Sequence, residues 1–345
     1  MPASSSISIL GAGSWGSALA LLFARSGRSV QLWGHHPTHL QAIEKSRQNE
    51  RYLPGITFPE NIQITPHLSQ AAEATTIFFA IPSKFFRSIA TQLATAINPA
   101  LAPTIISCTK GMELLSGKLM SDLLSEIIPQ ASLAVLSGPN LAAEIARGLP
   151  AAGVLASSEE ATLASVQNIF YQTTYRVYTN SDVAGVQLGG ALKNIFAIAT
   201  GISDGLGMGE NARAGLLTRA LVEMTRLGVA MGGRPYTFSG LSGIGDLMAT
   251  CLSAQSRNYQ VGWKLAEGYC KSQIENSMTM IAEGLFTAQA AQQCARLRGV
   301  DIPIIDEVVA VLDHGKKPHE AIRELLGRRM RSEEEMLHEL EKSVL

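Results

Sequence analysis

Ser6-Ile-Ser-Ile-Leu10, Gly11-Ala-Gly-Ser-Trp-Gly16, Ser17 to Arg25 closed by Gly27, and Ser29-Val-Gln-Leu-Trp33 decide the fold when read together. The first run is short, apolar and β-branched, as a buried strand requires. The Ala- and Leu-rich run after the glycines has helical composition, and Gly27 is suited to end it. A second strand follows. Strand, glycine turn, helix and strand make a right-handed βαβ unit. Gly11 permits the tight turn, Gly13 lets a ligand approach the backbone, and Gly16 lets helix and strand pack closely. The free N–H groups and positive dipole end of that helix suit the pyrophosphate of a dinucleotide. Glycines are common, so the pattern alone is weak; its strand-to-helix context gives it weight. The alternative is a glycine turn that holds no ligand.

Working outward, further buried strands are expected at Thr76 to Ile81, Thr104 to Cys108, Ser132 to Leu136, Ala151 to Ala156 and Arg176 to Tyr178. Helical segments such as Gly117 to Ile128 and Glu159 to Phe170 lie between some of them. This alternation marks a doubly wound, mostly parallel α/β sheet. Beyond about residue 180, strand-like runs nearly vanish, and Ala, Leu, Gly and Met recur at helical spacing through Asp182 to Ile202, Ala212 to Met231 and Glu283 to Arg298. The expected organisation is a Rossmann-type domain over residues 1–180 and an all-α domain over residues 181–345. The charged end, Arg328 to Leu345, reads as a solvated terminal helix.

At 345 residues the chain exceeds one ordinary core, which agrees with two domains. A net charge of −1 offers no global attraction for nucleic acid or an anionic membrane. Cys108, Cys251, Cys270 and Cys294 lack zinc-ligand spacing and a disulfide framework, so no metal is expected and reduced thiols are. Val183 to Ile202 is long and apolar, but Gln187, Lys193 and Asn194 within it would be costly in lipid. A buried core helix in a cytoplasmic protein, without membrane insertion, is the expectation.

A site selective for NAD usually carries Asp or Glu about 20 residues past the glycines, to accept from the ribose hydroxyls. After Trp33 this chain has Gly34, His35 and His36. A histidine can donate to a 2′-phosphate that a carboxylate would repel, so the expected cofactor is NADP(H), or both NADP(H) and NAD(H). The alternative is that the histidines merely cap a loop.

Ligands of open α/β sheets gather beyond the carboxyl ends of strands, which here carry Pro82-Ser83, Lys110-Gly111 and Gly138-Pro139-Asn140. Lys110 would project into the crevice or, alternatively, into solvent. Lys193 sits in Gln187-Leu-Gly-Gly-Ala-Leu-Lys-Asn-Ile-Phe-Ala-Ile-Ala199, too apolar for a surface helix. A buried ammonium is costly, which suits it to proton transfer, and Gly189 and Gly190 would leave room for a ligand beside it. The other reading is a lysine snorkelling its head to solvent. Asp246 after Gly243-Ile-Gly245 reads by itself as a helix N-cap. Ser256-Arg-Asn258 reads as a phosphate-binding group or as a solvated turn.

Taken together, Gly11-Ala-Gly-Ser-Trp-Gly16 with Trp33-Gly-His35, Thr109-Lys-Gly111, Ser137-Gly-Pro139, Gly185-Val-Gln-Leu-Gly-Gly-Ala-Leu-Lys-Asn194, Gly243-Ile-Gly-Asp246, Gln255-Ser-Arg-Asn258 and Ala282-Glu-Gly284 resemble the bacterial NAD(P)-dependent glycerol-3-phosphate dehydrogenases over nearly the whole chain. The resemblance implies reversible reduction of dihydroxyacetone phosphate to sn-glycerol 3-phosphate, which feeds phospholipid biosynthesis, by a homodimer. It further implies that Ser14, Trp15, His35 and Ala142 contact the cofactor, with Arg257, Ile281 and Glu283. Lys110 would be shared between cofactor and substrate. Gly138 and Asn140 would face the substrate, with Asp246, Ser256, Arg257 and Asn258 completing its pocket and Lys193 as proton donor and acceptor. Asn140 stands where the family commonly has Ser or Thr, and Leu141 replaces a frequent Phe. Asparagine still donates and accepts, so binding should survive without a hydroxyl there.

Two rivals share the glycine turn. A hydroxy-acid or ketopantoate-like dehydrogenase would lack Gln255-Ser-Arg-Asn258 or turn it to a carboxylate. A dinucleotide-binding redox sensor would leave the helical lysine without a purpose.

Overall fold

The structure, a computed structural model, describes residues 6–329 and residue 332. The described chain divides into two compact units. One runs to Thr109 and resumes over Met120–Val183; the other comprises Lys110–Leu119 and the residues from Ala184 onward.

The first unit contains β1 (Ile7–Leu10), β2 (Val30–Trp33), β3 (Gln48–Asn49), β4 (Leu53–Thr57), β5 (Ile62–Thr65), β6 (Thr76–Phe79), β7 (Thr104–Ser107), β8 (Ser132–Ser137), β9 (Ala151–Ala156) and β10 (Tyr175–Asn180). Eight of these form one sheet in the order β10-β9-β8-β7-β6-β1-β2-β5. Neighbours are parallel except β8 and β9, which pair antiparallel. The run β5-β2-β1-β6-β7-β8 is the doubly wound order, with its reversal between β1 and β6. That reversal places the Gly11–Gly16 turn where such sheets take their ligands.

Both faces of the sheet are covered, and side-chain alternation shows how. Ile9 and Phe78 join the core formed with Leu19 and Phe23 of the Ser14–Arg25 helix. Their sequence neighbours Leu10 and Phe79 join the opposite core, with Phe86, Leu93 and Leu123. A parallel strand buried on both sides therefore reads as a continuous apolar run. Gly27 adopts φ +84° just past the first helix, and its N–H donates to the Ala24 carbonyl, as a helix-ending glycine does.

The helix expected from Gly117 begins only at Met120 and ends at Ile127. Gly117 has φ +67°, and a Cβ there would lie 2.4 Å from Cys294 Sγ. Met112 bridges Leu119, and both belong to the helical core. This explains why Lys110–Leu119 packs with the second unit, so a single division at residue 180 places Lys110 in the wrong unit.

The second unit is helical. Its spine is the Val183–Gly205 helix, buried from Gly185 to Ser203. Among the described residues this helix alone is long and apolar enough to cross a membrane, and 89% of its most apolar window is buried inside the protein. Around it lie Glu210–Ala230, Arg257–Ala266, Gly284–Arg298 and Pro303–Asp313. Glycines permit a close crossing: a Cβ on Gly201 would lie 2.1 Å from the Tyr259 carbonyl oxygen, and one on Gly262 would lie 2.0 Å from that of Ile198. The charged terminal segment lies outside the described residues, except for Arg328, Arg329 and Ser332.

Candidate functional site

In the first unit the glycine turn is shaped by what a side chain would hit. Gly11 has φ +117°, and a Cβ on it would lie 2.4 Å from the Ala80 carbonyl oxygen, beyond β6. A Cβ on Gly16 would lie 1.9 Å from the Gly11 carbonyl oxygen. Gly13 differs: nothing lies within 4 Å of its Cβ position, so the backbone is open to a ligand there. Gly13 is also the N-cap of the Ser14–Arg25 helix, and no side chain caps that terminus. Trp15 Nε1 is buried without a hydrogen-bond partner. An open glycine backbone, an uncapped helix N-terminus and an orphaned indole donor all fit the polyanionic end of a dinucleotide.

Asn49 holds this turn in place. Its fully buried amide donates to the Ala12 carbonyl at 3.0 Å and to Ser17 Oγ at 2.8 Å. Beyond β2, His35 and His36 are exposed with ring centroids 3.6 Å apart. Burial, then the neighbouring His36, lowers the His35 pKa below its usual value. Farther along the same carboxyl edge, Gly138 has φ +128°, and a Cβ there would lie 2.9 Å from Gly153 Cα. Asn140 follows, and Ala142 opens the short Ala142–Ala146 helix.

In the second unit two lysines converge on one carboxylate. Lys110 Nζ donates to Asp246 Oδ2 at 2.6 Å, and Lys193 Nζ to Asp246 Oδ1 at 2.7 Å. Asp246 is 1% exposed and Lys193 6%, so this ion pair is desolvated. The carboxylate offsets the cost of burying the ammonium. Lys193 also donates to Thr250 Oγ1, one helical turn beyond Asp246.

Asp246 reaches that position through a π-helical turn, Leu241–Gly245, which feeds directly into the Asp246–Cys251 helix. A Cβ on Gly189 would lie 2.5 Å from the Ser242 carbonyl oxygen, and one on Gly243 would lie 2.0 Å from that of Phe238. Thus the space left by Gly189 is filled by the turn that carries Asp246, not by room for a ligand. Nor does Asp246 cap its helix by side chain; its two oxygens serve the lysines.

An amide chain extends this cluster. Asn194 Nδ2 donates to the Lys110 carbonyl at 3.2 Å, and Asn258 Nδ2 to Asn194 Oδ1 at 2.8 Å. Asn258 Oδ1 then accepts from the Gly284 N–H at 3.0 Å. Arg257 Nη1 donates to the Ile281 carbonyl at 2.6 Å. Burial lowers the Arg257 pKa, and Glu283 opposes that shift. The Ser256 hydroxyl serves as N-cap of the Arg257–Ala266 helix, accepting from the Tyr259 N–H. The structure therefore links Lys110, Lys193, Asp246 and Asn258 through Asn194, while Arg257 and Ile281 form a separate contact and Ser256 acts through the helix start.

A model of the NAD-dependent glycerol-3-phosphate dehydrogenase N-terminus matches residues 6–163, and one of the C-terminus of the same family matches residues 182–323. The chain belongs to this family. A glycerol-3-phosphate dehydrogenase [NAD(P)+] of Chlorobium limicola is 42% identical over 331 residues, covering 95% of this chain and 99% of the relative. The crystal structure of glycerol-3-phosphate dehydrogenase from Coxiella burnetii superposes with a TM-score of 0.91 at 39% identity, covering 95% of this chain and all of that one. A ketopantoate reductase from Ralstonia eutropha JMP134 gives a TM-score of 0.58 at 18% identity over 92% of this chain and 99% of its own, a likeness of fold alone.

Against the family's expected site, sequence reading passed over Asn49, Thr250 and Asn194. Thr250 had a signal, because it lies four residues after Asp246 on one helix. Asn194 stood within the quoted Leu-Lys-Asn motif. Asn49 had none: its partners come from the glycine turn, distant in sequence.

Proposed function

We propose that this chain reduces dihydroxyacetone phosphate to sn-glycerol 3-phosphate, reversibly, with Lys193 as the proton donor and acceptor. The observation that carries the proposal is the buried Lys193–Asp246–Lys110 cluster in a chain of this family. Gly11, Gly13, Ser14, Trp15, Gly16, His35 and Ala142 would hold the nicotinamide dinucleotide, with contributions from Lys110, Arg257, Ile281 and Glu283. Bound in its reduced form, that cofactor supplies a hydride to the C2 carbonyl carbon.

The chain's own residues manage the resulting charge. An ammonium has three N–H donors, and those of Lys193 engage Asp246, Thr250 and, in this reading, the substrate oxygen. As that oxygen becomes an alkoxide, Lys193 Nζ delivers its proton to it. Asp246 holds Lys193 in place for the transfer. The Lys193 ammonium, held beside the substrate oxygen, stabilises the negative charge that develops there. Arg257 and Asn258 bind the phosphate, the guanidinium engaging two oxygens. In the oxidative direction, neutral Lys193 removes the hydroxyl proton.

The product is the backbone of glycerophospholipids, so the reading extends to a supply role in lipid synthesis. A cytoplasmic homodimer completes it, carried by the resemblance to the bacterial enzymes; sedimentation and cell fractionation test those two features. The activity itself is tested with purified protein, NADPH and a panel of ketones, following loss of reduced nicotinamide. Dihydroxyacetone phosphate should be the preferred substrate. Turnover of ketopantoate or a 2-oxo acid without turnover of dihydroxyacetone phosphate would refute the proposal.

A further inference from the structure

We propose that Tyr175 is a positioning residue for substrate binding, acting by fixing the amide of Asn140; this rests on the reading of Asn140 as a substrate contact. Because β9 runs antiparallel to β8, the first residues of β9 and β10 lie beyond the carboxyl end of β8. Tyr175, the first residue of β10, is thereby carried to the edge occupied by Gly138-Pro139-Asn140. Its side chain is 1% exposed, and its ring packs 5.7 Å from that of Phe170 and 6.4 Å from that of Trp15, centroid to centroid. Room for its hydroxyl exists because position 153 is glycine: a Cβ on Gly153 would lie 1.9 Å from Tyr175 Oη. A buried phenol given its own slot, touching the tryptophan of the glycine turn, is a built feature of this edge.

The hydroxyl meets Asn140. With the amide turned so that its nitrogen meets acceptors, the two N–H groups of Asn140 Nδ2 are shared among Gly138 O at 2.7 Å, Tyr175 Oη at 2.8 Å and Pro139 O at 3.1 Å. The amide nitrogen is thus turned inward, and Oδ1 is directed to the opposite side as a hydrogen-bond acceptor. The two ends of an asparagine amide have nearly the same shape, so sterics alone do not choose between them. Oxygens around the nitrogen choose. An acceptor presented at this position suits a hydroxyl of a small hydroxyketone, which must donate. A serine or threonine hydroxyl, the common family choice at this position, rotates to donate or accept and requires no such fixing.

The test compares steady-state kinetics of the wild type, Tyr175→Phe, Asn140→Ser and the double variant, with NADPH dissociation constants measured separately. In Tyr175→Phe, the KM for dihydroxyacetone phosphate should rise about 3- to 10-fold, the scale of one hydrogen bond, while kcat and NADPH affinity change less than about twofold. With serine at 140 the phenol is dispensable, so Asn140→Ser and the double variant should share one KM within about twofold. An unchanged KM in Tyr175→Phe overturns the proposal. So does a gap of about fivefold or more between the two serine variants, and that comparison decides the matter even if the single phenylalanine variant fails to fold. Wild-type protein without turnover of dihydroxyacetone phosphate would instead refute the activity on which the proposal rests.

Discussion

Lys110 and Lys193 bind opposite oxygens of the same carboxylate, Asp246, at 2.6 and 2.7 Å. The two lysines stand far apart in the chain and belong to different structural contexts. Lys110 follows β7 and opens the segment whose Met112 and Leu119 join the helical core. Lys193 lies mid-helix on the buried spine. Asp246 joins them, and the site's chemistry depends on that sharing.

Asp246→Asn should therefore do more than weaken binding. Removing one partner of a buried ion pair leaves charge without compensation and costs about 3 kcal/mol or more. Denaturant unfolding should show that loss of stability, and activity should fall with it. A variant as stable and as active as the wild type would show that the carboxylate is not needed to hold the lysines.

Arg257→Ala tests the phosphate end. Hydrogen bonds to charged groups contribute more than neutral ones, so the KM for dihydroxyacetone phosphate should rise about 10- to 100-fold. Unphosphorylated dihydroxyacetone, compared in the same assay, should lose far less. Equal losses for both ketones would move Arg257 away from the phosphate.

His35 gives a pH dependence with a definite sign. Its pKa is lowered by partial burial and by His36, which favours the neutral ring in the free protein. A 2′-phosphate would favour the imidazolium and raise that pKa, so NADPH binding takes up a proton that NADH binding does not. NADPH affinity relative to NADH should consequently rise as the pH falls from about 8 to about 6. His35→Ala should flatten this ratio. A wild-type ratio independent of pH would contradict the role of His35.

Much of this was legible in the sequence, for identifiable reasons. Gly11 and Gly16 declare themselves because steric demands at those positions admit little else, while Gly13 leaves the backbone open. Most strands of the main sheet were readable because parallel strands covered on both faces are apolar throughout; the edge strand β5, with Gln63 exposed between Ile62 and Ile64, was not. The short β3–β4 pair was not, since Gln48-Asn49 carries no alternation of apolar residues. The union of Lys193 with Asp246 was hidden too. It depends on the Leu241–Gly245 π-turn packing into the gap at Gly189, a tertiary contact that local pattern does not encode. The same holds for Lys110–Leu119, whose allegiance follows from Met112, Leu119 and Gly117.

Glu223 supplies a stability prediction away from the site. Its buried carboxylate accepts the N–H groups of Ile304 and Ile305 at the start of the Pro303–Asp313 helix, at 2.9 and 2.8 Å. Burial nonetheless pushes its pKa up to about 8, against those bonds and Arg226, while Asp301 adds to the rise. A carboxyl whose folded pKa is raised binds its proton more tightly when folded. Its stabilising contribution is therefore full below the unfolded pKa, about 4.3, and is lost as the pH rises through about 8. The Tm of the wild type minus that of Glu223→Gln should fall across this window. A difference that stays level or rises would contradict the assignment.

The central claim is that Lys193 moves the proton that accompanies hydride transfer, and Lys193→Ala measures it most directly. NADPH affinity and single-turnover reduction of dihydroxyacetone phosphate should be followed on the same preparation. Binding of NADPH should persist within about threefold, while the reduction rate falls about a hundredfold to ten-thousandfold, the range of general acid catalysis. A variant that binds NADPH and reduces the substrate at the wild-type rate would contradict the account.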